Sequence, residues 1–428
     1  MPLTMQRVRF PFALLLCLAA TLATAEPAAP APGIRYGIQD DAWLLGGPGS
    51  YESRLRFLKR LGVDVVRVNI RWNETALRRP VRPMRHTDRA YRWNAADALL
   101  NGLQDHGIAA VVTLVGTPRW ANGGRGPNWA PANASSFASF AYAAARRYPQ
   151  VRHWVIWNEP NKNWSLRPTA PATYVRLLNA AYAAIKRVDR RDRVAGGVTA
   201  PRGGSGDVGP VAWIRGMRAA GARLDAYAHH PYPLSKGETP FGGGCRACSA
   251  LTLASLERLL REVGRAFGPK PVWLTEYGYQ TNPPDSSLGV SPARQARYVA
   301  EAARRAFLAP RVEMLIHFLI RDERDVNRWQ SGLFTFRNVA KPSLAAFRMP
   351  LAQVARRGPT VTLWGQVRPG TGRQLYRLRF KAGGGWRWLR GTRATDKRGY
   401  LLVRLRLPRG ATAQLAWRGS LGASLQLA

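Results

Sequence analysis

Short apolar runs alternate with amphipathic stretches along most of this chain. Eight of the runs have the length of strands: "IRYGIQ" (34–39), "VDVVRVNI" (63–70), "IAAVVTLV" (108–115), "VRHWVIW" (151–157), "RVAGGV" (193–198), "LDAYAH" (224–229), "PVWLTE" (271–276) and "VEMLIHFL" (312–319). Several are apolar on both faces, as strands of a helix-covered parallel sheet are. Between them, "YESRLRFLKRLG", "SSFASFAYAAARRY", "TYVRLLNAAYAAIKRV", "LASLERLLREVGRAF" and "ARQARYVAEAARRAF" repeat apolar residues at helical spacing. "KPSLAAFRMPLAQVARR", after the eighth run, reads as a last helix. Eight strand–helix units over residues 34–357 predict a (β/α)8 barrel. A doubly wound open sheet is the alternative, but it wants a glycine-rich phosphate loop after the first strand, and "GIQDDAW" is not one.

From residue 358 the pattern changes to short alternating runs, "TVTLWGQV", "RQLYRLRF", "GWRWLRG", "GYLLVRLRL" and "AQLAWRG", joined by Gly and Pro turns. They predict a small C-terminal antiparallel β-sandwich over 358–428. At the other end, Arg7 and Arg9 precede the apolar "FALLLCLAATLA", and small residues close the segment at Ala25. That is the pattern of a secretory signal peptide (1–25), too short and wrongly flanked for a membrane span. "EPAAPAPG" (26–33) follows as a linker. The expected mature protein is secreted, extracellular or cell-wall associated, and makes no membrane contact.

Cleavage would remove Cys17 and leave Cys245 and Cys248 in "GGGCRACSA". In an oxidising compartment a short disulfide across this loop is the first expectation. No second Cys or His pair stands at zinc spacing, and nothing around the motif resembles a thioredoxin unit. The formal charge is +40, from 65 basic and 25 acidic residues. Residues 361–428 hold 14 Lys and Arg against one acid, Asp396. A basic face of this kind suits an anionic cell wall or acidic glycan. Since only 8 of the 65 basic residues are lysine, the arginine bias of a GC-rich genome is the preferred source of this charge. No nucleic-acid motif is present, and export argues against that partner.

The chemistry sits at strand ends, where a barrel of this class places its active site. The fourth run leads through Trp157 into Asn158 and Glu159, and the seventh ends in Glu276. Two carboxylates facing each other across a barrel mouth are what glycoside hydrolysis needs: one protonates the leaving oxygen while the other attacks or positions water. Trp43, Trp72, Trp120, Trp129 and Trp164 fall at or just beyond strand ends, where flat apolar rings can stack on sugars. Asp40 and Asp41, after the first strand, are candidates for sugar hydroxyls or for turn roles.

"WNEPN" at the fourth strand, "TEYGY" at the seventh, "HHPYP" after the sixth and "VVRVNIRW" at the second resemble clan A of the glycoside hydrolases, in its family 5 cellulase-like or family 39-like flavours. The resemblance covers the barrel portion only. It implies Glu159 as acid/base and Glu276 as nucleophile, with retention of configuration. It further implies that Asn158 bonds the sugar 2-hydroxyl, Arg67 lies beneath Glu276, Tyr232 donates to Glu276 and His230, or its neighbour His229, contacts the sugar. Trp43 and Trp120 would add to the substrate cleft. One departure stands out. These enzymes commonly end the eighth strand with a tryptophan, and here "LIHFLIRDE" offers Phe318 or His317, with Trp329 arriving later.

The expected function is therefore a secreted retaining glycosidase cleaving β-linked bonds of a polysaccharide or oligosaccharide, endo-acting, with no cofactor and no metal. An exo-acting glycosidase and a non-catalytic glycan-binding protein are the alternatives.

Overall fold

The computed structural model describes residues 33–244 and 249–428. The signal-peptide reading, all but the last residue of the linker, and the Cys245–Cys248 pair lie outside the described residues.

The eight expected strands all form: β1 (Arg35–Gln39), β2 (Val65–Arg71), β3 (Ala109–Val115), β4 (His153–Ile156), β5 (Arg193–Thr199), β6 (Ala226–His229), β7 (Val272–Tyr277) and β8 (Val312–Phe318). Each pairs in parallel with the next, and β8 pairs with β1, so the barrel closes in sequence order and leaves no edge. Alternation along β2 shows how residues divide between inside and outside. Val66, Val68 and Ile70 pack outward against the helices, while Val65 joins Val111, Val155, Trp273, Met314 and Ile316 in an apolar plug inside the barrel. Arg67 and Asn69 share the inward face with Val65 and stand above that plug, toward the C-terminal mouth. Two helices beyond those expected, Asn94–Asp105 and Pro210–Ala219, complete the outer layer.

The C-terminal region is two antiparallel sheets. One is β9 (Leu351–Arg357), β10 (Thr360–Gln366) and β14 (Tyr400–Arg406). The other is built on β11 (Leu375–Lys381) and β15 (Thr412–Trp417), with the short β12 (Arg387–Trp388), β13 (Arg393–Ala394), β16 (Ser420–Leu421) and β17 (Leu425–Gln426). Leu351, Leu363 and Val403 of the first sheet share one buried core with Tyr376, Leu378 and Leu415 of the second, which makes the pair a sandwich.

One element differs from expectation. The last helix stops at Arg348, and Leu351–Arg357 is a strand paired with β10, not more helix. Pro350 accounts for this: it disfavours helical backbone at Met349 and has no N–H to give. The barrel's last element therefore ends near residue 349, ahead of the expected boundary at 357.

The sandwich docks beside the start of β1, the end opposite the mouth. The guanidinium of Arg368, which is buried, lies 3.5 Å from the centre of the Tyr36 ring and donates to the Phe347 carbonyl at 2.8 Å. Trp364 and Tyr400 pack their rings on Phe307 of the barrel's outer layer. Among the described residues no helix is long and apolar enough to cross a membrane.

Candidate active site

Strand β4 is fully buried, and Trp157 beyond it is buried as well. The backbone then turns sharply, with Trp157 at φ 69° and Glu159 at φ 42°. Such left-handed backbone is costly for residues with a Cβ, of order 1–2 kcal/mol each, so surrounding bonds must hold it. They do. The Trp157 indole donates to the Ser165 carbonyl at 3.0 Å, and Ser165 Oγ donates to the Asn158 carbonyl. Asn161, wholly buried, accepts from the Ala200 N–H at 2.9 Å and donates to the Val208 carbonyl at 3.0 Å. The turn is thereby fixed to the segment after β5, and it turns the Glu159 carboxylate into the mouth.

Glu276 reaches the mouth on β7, which is buried throughout. Gly278, two residues on, has no room for a side chain: a Cβ there would lie 2.6 Å from the Phe318 carbonyl and 2.7 Å from the Ser331 Cβ. That close approach locks the end of β7 against the end of β8.

Arg67 connects the groups. Fully buried, it forms an ion pair with Glu276 Oε1, and donates to Gln39 Oε1 at 2.5 Å, Thr113 Oγ1 at 2.8 Å and Asn158 Oδ1 at 2.8 Å. A buried guanidinium is tolerated only with its donors matched in this way. Tyr232 Oη donates to Glu276 Oε2 at 3.0 Å. His230, also fully buried, shares a hydrogen bond between Nδ1 and Glu159 Oε1 at 2.9 Å, and the same nitrogen lies 3.5 Å from Glu276 Oε2. Burial alone pushes the Glu276 carboxyl up; the neighbouring His230 and Arg67, with the bonds from Arg67 and Tyr232, outweigh it and leave the group below the usual glutamate range.

A carboxylate oxygen of Glu159, one of Glu276 and a His230 ring nitrogen all lie within 4.8 Å of one another. A divalent cation could find three ligands here, but it would compete with the guanidinium and phenol already bound to Glu276. Chemically, the arrangement offers two carboxylates in unlike settings, one clamped and ionised by donors, the other lightly held. That asymmetry is what splits acid from base roles.

The cleft around the pair has a volume of about 1130 Å³. Trp43, Trp157, Trp164 and Trp329 line it together with Phe318 and Phe336. Trp120 does not line it, contrary to its expected part in substrate binding. Its ring meets buried Trp72 edge-on and its indole N–H donates to the Ala76 carbonyl, so it closes the barrel's flank. Trp129 is covered by Arg125, whose guanidinium is 4.4 Å from the ring centre. His229 donates from Nε2 to the Leu251 carbonyl at 2.8 Å and bonds Thr199 Oγ1 through Nδ1 at 2.8 Å, so it is structural, which leaves His230 in the site. His317 is likewise buried against the Ser331 carbonyl. At the end of β8, the Trp329 ring sits 4.4 Å from the Tyr232 ring and 5.6 Å from the Phe318 ring, bringing an indole to the place where the strand itself offers Phe318.

Asp40 caps the helix Asp41–Gly46 by accepting from the Trp43 N–H, and accepts from the Ile320 and Arg321 N–H groups, so it joins the β1 and β8 loops. Asp41 accepts from Asn69 Nδ2 at 2.6 Å, while its Oδ1 is buried without a partner in the cleft wall. Gln39, Asn69, Asn161 and Ser165 were not marked by their sequence context. Only their position just past or along strand tips could have drawn notice.

No protein-family model and no curated protein matches the chain. Solved structures do. A glucosidase from Croceicoccus marinus is 13% identical with a TM-score of 0.60, over 91% of this chain and 96% of that one. A family 39 glycoside hydrolase from Bacteroides cellulosilyticus is 19% identical with a TM-score of 0.58, over 90% of this chain and 81% of that one. A monomeric β-xylosidase from Caulobacter crescentus is 16% identical with a TM-score of 0.58, over 93% and 98%. Likeness at such identities is likeness of fold, and its coverage takes in both the barrel and the sandwich.

Proposed function

We propose that this protein is a retaining glycoside hydrolase acting on β-linked chains of sugars. The observation behind the reading is the spacing of Glu159 and Glu276, whose oxygens approach within 4.8 Å. Retaining enzymes hold their carboxyl groups about 5–5.5 Å apart, whereas inverting ones leave about 6.5–9.5 Å for a water. The glucosidase, β-xylosidase and family 39 hydrolase that share the fold support the same reading.

Glu276, kept ionised by Arg67 and Tyr232, attacks the anomeric carbon. The glycosidic C–O bond breaks, its electron pair goes to the leaving oxygen, and that oxygen takes the proton of Glu159. In the second step Glu159 removes a proton from water, whose oxygen attacks the same carbon and expels the Glu276 carboxylate. Asn158, whose amide oxygen accepts from Arg67 at 2.8 Å, bonds a sugar hydroxyl in this reading. Trp164 and Trp329 line a cleft large enough for several sugar rings, which favours attack within a chain. The glucosidase and xylosidase among the shared folds favour the second reading, removal of single terminal sugars. The amino-terminal pattern of residues 1–25 supports export, and with it a substrate outside the cell.

The test is reducing-end release from β-glucan, xylan and mannan and from the matching aryl β-glycosides, with the anomeric form of the first product read by NMR. Release of the β-anomer before mutarotation is expected. Release of the α-anomer, or no release from any member while binding persists, would sink the reading. A narrower prediction concerns Tyr232→Phe. Loss of one hydrogen bond to a charged group costs roughly 1.5 kcal/mol, so kcat/KM should fall about tenfold. Without that donor Glu276 protonates more easily, so the acidic limb of the pH–rate profile should move to higher pH. An unmoved limb would show that Tyr232 is only packing.

A further inference from the structure

The chain has a formal charge of +40, yet the cleft does not share it: eight carboxylate residues and four arginines line its walls. A cleft of that balance suits an uncharged sugar, which directs attention to where the surplus cations gather. A second cavity, of about 630 Å³, lies where the barrel meets the sandwich. It is bounded by the helices Tyr51–Leu61 and Pro342–Arg348 and by the turn from β15 to β16. Leu61 leads into the start of β2, so the cavity opens toward the barrel end opposite the glutamate pair.

Arg60, Arg348 and Arg418 line this cavity together with the stem of Lys59, whose ammonium donates to the Gly107 carbonyl at 3.2 Å, and among the described residues no acidic one lines it. The guanidiniums of Arg348 and Arg418 lie 5.2 and 4.7 Å from the centre of the same ring, Trp417. Arg348 donates through Nη1 to Ser420 Oγ at 3.1 Å, but its Nε is buried with no partner among the described residues. Neither Arg60 nor Arg418 has an ion pair among the described residues. Burial, and then Arg418, push the Arg348 guanidinium below its usual range. Like charges brought together in a partly dry pocket repel, and a bound oxyanion turns that repulsion into charge-assisted hydrogen bonds. A volume of this size also matches small-molecule sites, which run from about 300 to 1,000 Å³, and far exceeds a lone phosphate.

We propose that the junction cavity is an oxyanion site that holds an acidic glycan through Arg348, Arg418 and Arg60, anchoring the protein to an anionic matrix. The site stands apart from the glutamate pair, so it does not depend on the hydrolase reading.

The test is calorimetric titration of the full chain with tetragalacturonate, inorganic phosphate and cellotetraose at fixed ionic strength. Three proteins are compared: the natural one, Arg348→Gln/Arg418→Gln, and Arg404→Gln/Arg406→Gln. The last pair removes the same charge from the exposed face of β14. Tetragalacturonate binding weakened about 30-fold or more in the junction variant but under threefold in the β14 variant is expected, with cellotetraose binding alike in all three. Thermal unfolding shows whether the junction variant is folded, and Arg418→Gln alone, at an exposed position, should still weaken binding several-fold. Equal loss in both double variants would reduce the effect to diffuse charge and overturn the proposal. So would no loss in either, or no binding by the natural protein. Phosphate binding without tetragalacturonate binding would overturn the glycan assignment. Glu276→Gln should leave this binding intact even if it abolishes hydrolysis, which separates the two readings.

Discussion

Glu276→Ala should lower hydrolysis at least about 10⁴-fold, a loss of roughly 5.5 kcal/mol of transition-state stabilisation. On the proposed mechanism the substitution removes the attacking atom, and no neighbour can replace it. Arg67 and Tyr232 are donors, and Glu159 is assigned by the same mechanism to the leaving oxygen. It also leaves the buried Arg67 charge without its ion-pair partner, with Gln39, Thr113 and Asn158 as remaining acceptors. Removal of one member of a buried pair costs about 3–5 kcal/mol, so the variant should also unfold at lower temperature. Glu276→Gln, which keeps the volume and one acceptor oxygen, separates the two effects, with more of the stability retained and the rate still lost. The chemistry gives a sharper check. In Glu276→Ala the space left beside the anomeric carbon admits a small anion, and azide should restore turnover of an activated aryl glycoside, giving the glycosyl azide of inverted configuration. Azide that gives the retained product would move the nucleophile elsewhere.

Much of this arrangement is legible in the residues, and its limits have physical causes. The eight strands are visible because each is a short apolar run ended by turn residues, and burial in a closed barrel demands that pattern. Both glutamates are visible because a rigid strand tip is an expensive place to leave a carboxylate without a use. The helix–strand boundary near residue 349 is less visible: Leu344, Phe347, Leu351 and Val354 keep helical spacing straight through Pro350, and only the proline marks the break. Neighbouring His229 and His230 cannot be ranked by local pattern. The strand ends between them, at His229, so one side chain turns to Thr199 and the other to the carboxylates. Trp120 and Trp164 both stand in loops that follow strands, and only tertiary packing decides that one is covered by Trp72 and the other opens on the cleft. Trp329, eleven residues beyond the end of β8, returns to the site through a loop that no spacing rule anticipates.

Glu159→Gln should separate the two steps that one carboxyl performs. Its volume and its bond to His230 are largely kept, so folding should change little. Proton donation is lost, and positioned general acid–base catalysis contributes about 10²–10⁴-fold, so unactivated chains should be cleaved slower by that range. An aryl glycoside with a strongly acidic phenol needs no proton to leave, and Glu276 still attacks it with its full charge. The first step should therefore run at nearly the natural rate, while the second, which needs Glu159 as base, stalls. The expected record is a burst of phenol equal to the enzyme present, followed by slow turnover, with the sugar found on the Glu276 peptide by mass spectrometry. In Glu159→Ala, where the truncation leaves space, azide should speed the second step and give the product of retained configuration, opposite to its effect in Glu276→Ala. A variant that loses poor and good leaving groups equally would assign Glu159 to binding rather than proton transfer. The left-handed turn that aims it, fixed by Trp157, Asn161 and Ser165, would then need another reason to exist.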